Sequence, residues 1–111
     1  MERPSFEHEG NSQERAEEEL VRRIKEKGPT DPESRTLIND WLEKREQELA
    51  KDPISSIRFN ITRAKFYFKI GLIEEAFENL ESALDQAWNE HRDELCEEIE
   101  REIRAARDKV R

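Results

Sequence analysis

The sequence has only one cysteine and no long apolar run, and both absences limit what the protein can be. Cys96 has no second cysteine to pair with, so an intramolecular disulfide is excluded. No stretch approaches the ~20 consecutive apolar residues of a membrane-spanning helix. The opening residues also lack the apolar segment of a secretory signal peptide. We therefore expect a protein of the reducing cytoplasm that is not embedded in a membrane.

Apolar residues are scarce as well, at 33% of 111 residues, whereas charged residues make up 43%. This composition supports one small domain, and it borders on disorder unless the apolar side chains line up on helical faces. The net charge of −8 makes direct binding to nucleic acid or to an anionic membrane unfavourable. A local basic patch is still compatible with that charge.

The N-terminal region divides into two parts. Residues 1–10 show little periodicity and predict a flexible tail. From Asn11 a helical repeat of apolar residues runs to Gly28, where glycine followed by proline ends the helix. We expect residues 11–111 to form a single helical domain.

Two later helix starts carry the same signal. Asp31-Pro32 and Asp52-Pro53 each place a capping carboxylate before a proline in the first helical turn. The helix that begins at Pro53 continues to Ile70, and Gly71 ends it. The pattern predicts an all-α fold, an antiparallel bundle of four to five helices.

The third predicted helix is the most apolar segment and has two apolar stripes. The first contains Ile54, Ile57, Ile61, Ala64 and Phe68. The second contains Phe59, Phe66 and Ile70. A helix with two such stripes is expected to be the central helix of the bundle.

After Gly71 the chain has neither glycine nor proline. Apolar or neutral side chains recur there with an eleven-residue period: Ile73, Phe77, Leu80, Leu84, Trp88, His91, Leu95, Ile99, Ile103, Ala106 and Val110. An unbroken helix of this length would extend ~57 Å, far beyond a domain of this size. We predict either a break near Asn89 to His91 or a projecting end, with residues 91–111 as a charged C-terminal helix.

Residues 57–90 resemble one tetratricopeptide repeat, a helix-turn-helix unit whose small residues allow close packing. The resemblance lies in Ala64, Tyr67, Gly71, Ala76, Leu80 and Ala83, which match the small, aromatic, glycine, alanine, large apolar and alanine positions of that family. Asn60, Arg63 and Trp88 depart from its usual tryptophan, leucine and closing proline. No second repeat is found, so flanking helices or another copy must cover this hairpin.

The resemblance implies that the first helix of the hairpin lines a groove. The segment 53–73 contains four cations and no acidic residue in an otherwise acidic chain. A groove of cations and apolar side chains suits an acidic peptide or an amphipathic helix. The predicted partner-binding residues are Arg58, Ile61, Lys65, Phe68, Lys69 and Trp88. The alternative is that these cations only neutralise the acidic helices beside them.

These patterns indicate a small protein-interaction module, an adaptor or a regulatory subunit. Two other functions are compatible with the sequence. One is a homo-oligomer assembled through the apolar positions of the C-terminal helix. The other is an acidic mimic that occupies a nucleic-acid-binding protein, suggested by the acid-rich run 90–102.

No catalytic or metal-binding pattern is found. His91 lies near Glu94 and Cys96, but no second histidine completes a recognised set of metal ligands, and we expect His91 to be partly buried or at an interface. No activated nucleophile or phosphate-binding loop is present. We predict neither an enzyme nor a cofactor.

Overall fold

The computed structural model describes the backbone of residues 5–109 and the side chains of residues 14–109. Within this range the fold is all-α and contains five helices and no strand. The helices are α1 (Ser5–Lys27), α2 (Pro32–Leu49), α3 (Pro53–Ile70), α4 (Ile73–Asn89) and α5 (Asp93–Lys109). None of these helices is long and apolar enough to cross a membrane.

Aspartate caps fix the starts of α2 and α3, as predicted. The side chain of Asp31 accepts a hydrogen bond from the Glu33 backbone N–H at 3.0 Å. Asp52 and Ser55 form a reciprocal capping box, with bonds of 2.8 and 2.9 Å. The hydrogen bonds donated by Ser55 and Ile54 hold the pKa of the Asp52 carboxyl below its usual value.

Helix α1 begins at Ser5, earlier than the predicted start at Asn11. Residues 5–10 are therefore part of α1, whereas residues 1–4 lie outside the described range. Gly10 does not end the helix, because a glycine inside a helix costs only about 1 kcal/mol. The end of α1 agrees with the prediction, since Gly28 follows it with a left-handed φ of 98°.

The turn between α3 and α4 depends on Gly71, which has φ 90°. The Gly71 N–H donates to the Phe68 carbonyl at 3.3 Å, and the Leu72 N–H donates to the Tyr67 carbonyl at 2.9 Å. This is the Schellman pattern, which satisfies the last carbonyls of a helix when a residue can adopt φ > 0.

The same pattern ends α4 and confirms the predicted break in the chain. His91 adopts φ 57°, its N–H donates to the Trp88 carbonyl at 3.1 Å, and the Arg92 N–H donates to the Ala87 carbonyl at 3.0 Å. His91 is exposed, so the expectation that it is partly buried is wrong. It belongs to the turn and not to the run of apolar positions after Gly71, which we call the eleven-residue seam.

The buried side chains form two clusters, and α3 contributes to both, as its two stripes predict. The first cluster joins α3, α4 and α5 and contains Ile57, Ile61, Ala64, Leu80, Ala83, Ala87, Leu95, Cys96, Ile99 and Ile103. The second joins α3 to α1 and α2 and contains Ile24, Ile38, Leu42, Phe59, Phe66, Ile70 and Leu72. Helix α3 is thus the central helix of the fold.

The break at His91 also changes the meaning of the seam after Gly71. Because α5 folds back on α4, Leu95, Ile99 and Ile103 are buried in the same cluster as Leu80. The chain therefore covers this part of the seam itself. The apolar surface that suggested assembly of copies through the C-terminal helix is not exposed at these three positions.

Candidate partner-binding groove

Helices α3 and α5 run in the same direction on one side of the molecule. Near their starts Arg58 Nη1 lies 3.3 Å from Glu98 Oε2, and further along Lys65 Nζ lies 3.5 Å from Glu102 Oε1. Both helices are connected through α4, which packs against each of them. Two parallel helices on a shared third helix leave a furrow between them.

The furrow widens into a groove of about 490 Å³, which we call the α3/α5 groove. It lies between the C-terminal halves of α3 and α5 and the first residue of α4. It is lined by Lys65, Phe68, Lys69, Ile73, Glu102, Ala105, Ala106 and Lys109. This volume is within the usual range of small-ligand pockets.

An aromatic contact shapes the apolar part of the groove. The ring of Phe68 meets that of Phe77 edge to face, with centroids 5.1 Å apart and an angle of 86° between the planes. Both rings are only partly buried and pack against the first core cluster. The core thus orients Phe68 while part of its ring stays accessible, which is the arrangement of an apolar anchor site.

The charged residues of the groove are mostly basic. Lys65, Lys69 and Lys109 line it together with a single acidic residue, Glu102. Lys65 pairs with Glu102, while Lys69 pairs at 3.0 Å with Glu17 of α1. Since the lysine side chains are 56% exposed, these surface pairs are weak and the ammonium groups remain available to a partner. The pairs also place these two cations beside acidic side chains of α5 and α1.

Of the six predicted partner-binding residues, the structure brings Lys65, Phe68 and Lys69 together in the groove. Ile61 is 7% exposed and lies in the core beneath this surface. Arg58 lies in the first turns of α3, beside the start of α5. Trp88 is on the last turn of α4 and does not line the groove, but it is 58% exposed.

The groove also has residues that the sequence pattern did not single out as a site. Glu102, Ala105 and Lys109 join it because α5 returns alongside α3, and Ile73 joins it as the first residue of α4. Ala106 and Ile73 do appear in the eleven-residue seam, which was the available signal. The position of Ala106 beside α3 depends on the turn at His91.

Arg63 does not belong to the groove, although it is one of the four cations of the basic segment. Its Nε donates to Asn79 Oδ1 at 2.7 Å, and its Nη2 donates to Asn60 Oδ1 at 2.6 Å. Asn60 in turn donates to Gln86 Oε1 at 2.7 Å. Asn60 and Arg63 are the two polar residues that depart from the repeat pattern. They are thus hydrogen-bonded to each other at the α3/α4 interface.

The surroundings of Cys96 and His91 indicate no reactive centre. Burial raises the pKa of the Cys96 thiol, which disfavours the nucleophilic thiolate. His91 is exposed in a turn. Among the side chains that the structure describes, no three from histidine, cysteine, aspartate and glutamate gather into a group that could hold a metal ion.

Comparisons with known proteins add no relative. No protein-family model matches the sequence, and searches of curated proteins and of solved structures find no match. The resemblance of residues 57–90 to a tetratricopeptide repeat therefore stays a prediction.

Proposed function

We propose that this protein is a small interaction module, an adaptor or regulatory subunit, whose α3/α5 groove holds an acidic amphipathic segment of a partner protein. The observation that carries the proposal is the composition of the groove. Three lysines and one glutamate surround an apolar floor, in a chain whose net charge is −8. A site with this contrast favours a ligand that combines acidic and apolar side chains.

The shape of the site favours a helical ligand. Lys65 and Lys69 are one turn apart on α3, and Lys109 lies on α5 at the other side of the groove. An amphipathic helix would place its apolar stripe over Phe68, Ile73 and Ala106 and its carboxylates toward the lysines on both sides. This is the helix-in-groove mode of recognition.

The repeat resemblance supports the same assignment. In tetratricopeptide repeats the first helix of each unit lines the concave surface, and α3 has that position in the hairpin of residues 57–90. The buried free thiol of Cys96 is compatible with a cytoplasmic setting. No reaction forms part of the proposal.

A peptide-binding experiment tests the groove directly. The probe is a fluorescent helical peptide with leucines at i, i+3, i+4 and i+7 and glutamates on both flanks, and the matched peptide carries lysine in place of every glutamate. Fluorescence anisotropy should show saturable binding of the glutamate peptide in the groove, whereas the lysine peptide should bind only to acidic surface elsewhere. The double change Lys65→Glu and Lys69→Glu should weaken binding at least about tenfold, because two attractive charges become repulsive.

The control is Lys44→Glu with Lys51→Glu, which changes the net charge equally on exposed residues of the α2 region. This variant should keep most of the affinity, and circular dichroism should show unchanged helix content for both variants. Equal losses in the two double variants would contradict the groove, as would a lysine peptide whose binding the Lys65→Glu and Lys69→Glu change weakens to the same extent. A pull-down from native lysate, with the Lys65→Glu and Lys69→Glu variant as the negative bait, would then identify the partner.

A further inference from the structure

The two tryptophans of the chain have very different surroundings. Trp41 is partly buried against the second core cluster, and the Arg45 guanidinium lies over its ring, 4.1 Å from the centroid. Arg45 also pairs with Glu48 at 3.7 Å. On α2 one guanidinium therefore lies over an indole ring and pairs with a carboxylate at the same time.

Around Trp88 only two of these three kinds of group are present, the indole and carboxylates. Its indole is 58% exposed, the most exposed of the large hydrophobic side chains that the structure describes. Asp85 and Glu81, three and seven residues earlier, lie on the same face of α4. Both carboxylates are exposed, and no described cation forms a salt bridge with either of them.

The turn at His91 explains why the chain does not supply the third group itself. Arg92 follows Trp88 by four residues, the same spacing as Arg45 from Trp41. However, α4 ends at Asn89 and the left-handed conformation of His91 takes the chain away from the helical path. Among the described side chains, the guanidinium of Arg45 stacks on Trp41, whereas none stacks on Trp88.

We propose that Trp88, Asp85 and Glu81 form a second interaction surface, which binds an arginine side chain from a basic segment of a partner protein. The guanidinium stacks on the indole and pairs with the Asp85 carboxylate, as Arg45 does with Trp41 and Glu48. Tryptophan is the most favourable ring for a cation–π contact, and arginine is the cation found over aromatic rings most often. The C-terminal end of α4, with its partial negative charge, adds to the attraction.

This surface is separate from the α3/α5 groove and does not depend on it. Ile73, which lines the groove, and Trp88 are at opposite ends of α4, ~22 Å apart at 1.5 Å per residue. The two sites also have opposite charge. One molecule could thus hold an acidic segment at one end and a basic segment at the other.

The test measures binding of a fluorescent tetra-arginine peptide by anisotropy at low ionic strength. Trp88→Ala, and separately Glu81→Gln with Asp85→Asn, should each weaken binding about fivefold. A tetra-lysine peptide should bind the unchanged protein more weakly, because ammonium groups stack less well on indole. Trp88 is exposed, so its removal should leave the circular dichroism spectrum unchanged.

Two matched variants serve as controls. Leu49→Ala removes the other exposed large hydrophobic side chain, and Glu43→Gln with Glu46→Gln removes two exposed carboxylates of α2. Both should stay within about twofold of the unchanged protein. Equal weakening by the α2 variant would overturn the proposal, since it would show general charge attraction. Unchanged binding by Trp88→Ala would overturn it too, and so would light scattering that shows self-association lost in Trp88→Ala.

Discussion

The two sides of α3 bury their stripes in different ways. Toward α4 and α5 the interface contains small residues, including the fully buried Ala64, Ala83 and Ala87. Toward α1 and α2 the interface is filled by large side chains such as Phe59 and Phe66. The backbones of α3 and α4 accordingly approach each other more closely than those of α3 and either α1 or α2.

The difference extends to the polar contacts at the edges. The hydrogen bonds of Asn60 and Arg63 join α3 to α4. Helix α2 is instead joined to α4 by Arg35 and Glu75, which pair twice at 2.9 and 3.2 Å across partly exposed surface. The two sides of α3 therefore differ in how their apolar residues pack, closely toward α4 and through large side chains toward α1 and α2, while surface ion pairs occur on both sides.

The largest effect should come from replacing Phe66 with alanine, and the matched change is at Phe68, two positions later on α3. Phe66→Ala should lower the free energy of unfolding by about 3–5 kcal/mol, because Phe66 is 3% exposed in the second cluster. Phe68→Ala should cost only about 1–2 kcal/mol, since its ring is partly exposed and loses mainly the contact with Phe77. Urea unfolding followed by circular dichroism measures both. Equal losses in the free energy of unfolding would show that the two phenylalanines are buried to the same extent.

A larger side chain should destabilise the closely packed interface between α3 and α4. Ala83→Leu should lower the free energy of unfolding by about 1–3 kcal/mol, because the fully buried Ala83 has no room for a larger side chain between α3 and α4. The exposed Ala105 provides the control, and its change to leucine should leave stability nearly unchanged. The same urea titration applies. A tolerated leucine at position 83 would mean that the α3/α4 interface can expand.

A smaller effect should distinguish the two turns that bound α4. His91→Gly should raise the free energy of unfolding by about 1 kcal/mol, because a side chain at φ 57° strains the backbone. Gly71→Ala should lower it by a similar amount through backbone strain alone, since a Cβ there meets no atom within 4 Å. Thermal unfolding of both variants provides the comparison. A loss of stability in His91→Gly would instead reveal a stabilising contact of the imidazole.

The smallest effect should come from the ion pair between α2 and α4. A double-mutant cycle of Arg35→Ala and Glu75→Ala should give a coupling of about 0.5 kcal/mol, because the two side chains are 39% and 36% exposed. The coupling should fall at high salt, as screening predicts for an exposed pair. A coupling that does not respond to salt would indicate a desolvated pair.

The sequence was sufficient for most of the fold. The Asp31 and Asp52 caps, the glycine at position 71 and the two stripes of α3 are local features, so the chain near each residue determines them. The break after α4 was expected from helix length but not its geometry, since histidine is not the usual residue of a left-handed turn. Helix α1 starts before the predicted Asn11, because residues 5–10 are helical although they show little apolar periodicity.

The candidate site was less accessible to sequence reasoning. Lys65, Phe68 and Lys69 were found through the composition of α3, but Lys109 and Ala105 join them only through the return of α5. The predicted partner-binding residues leave out Arg63, but its hydrogen bond to Asn79 was not predicted, because Asn79 lies on the next helix. Non-local neighbours decide both cases, and a helical period does not specify them.

The two-sided burial of α3 also limits how this hairpin could be reused. A version that begins at Pro53 would leave Phe59, Phe66 and Ile70 without α1 and α2 to cover them. Burial of each such side chain contributes about 1.5–3 kcal/mol, and a contiguous exposed stripe of this kind promotes aggregation. Transplanting α3 to α5 into another scaffold would therefore require polar residues at these three positions, or a host surface that replaces the missing helices.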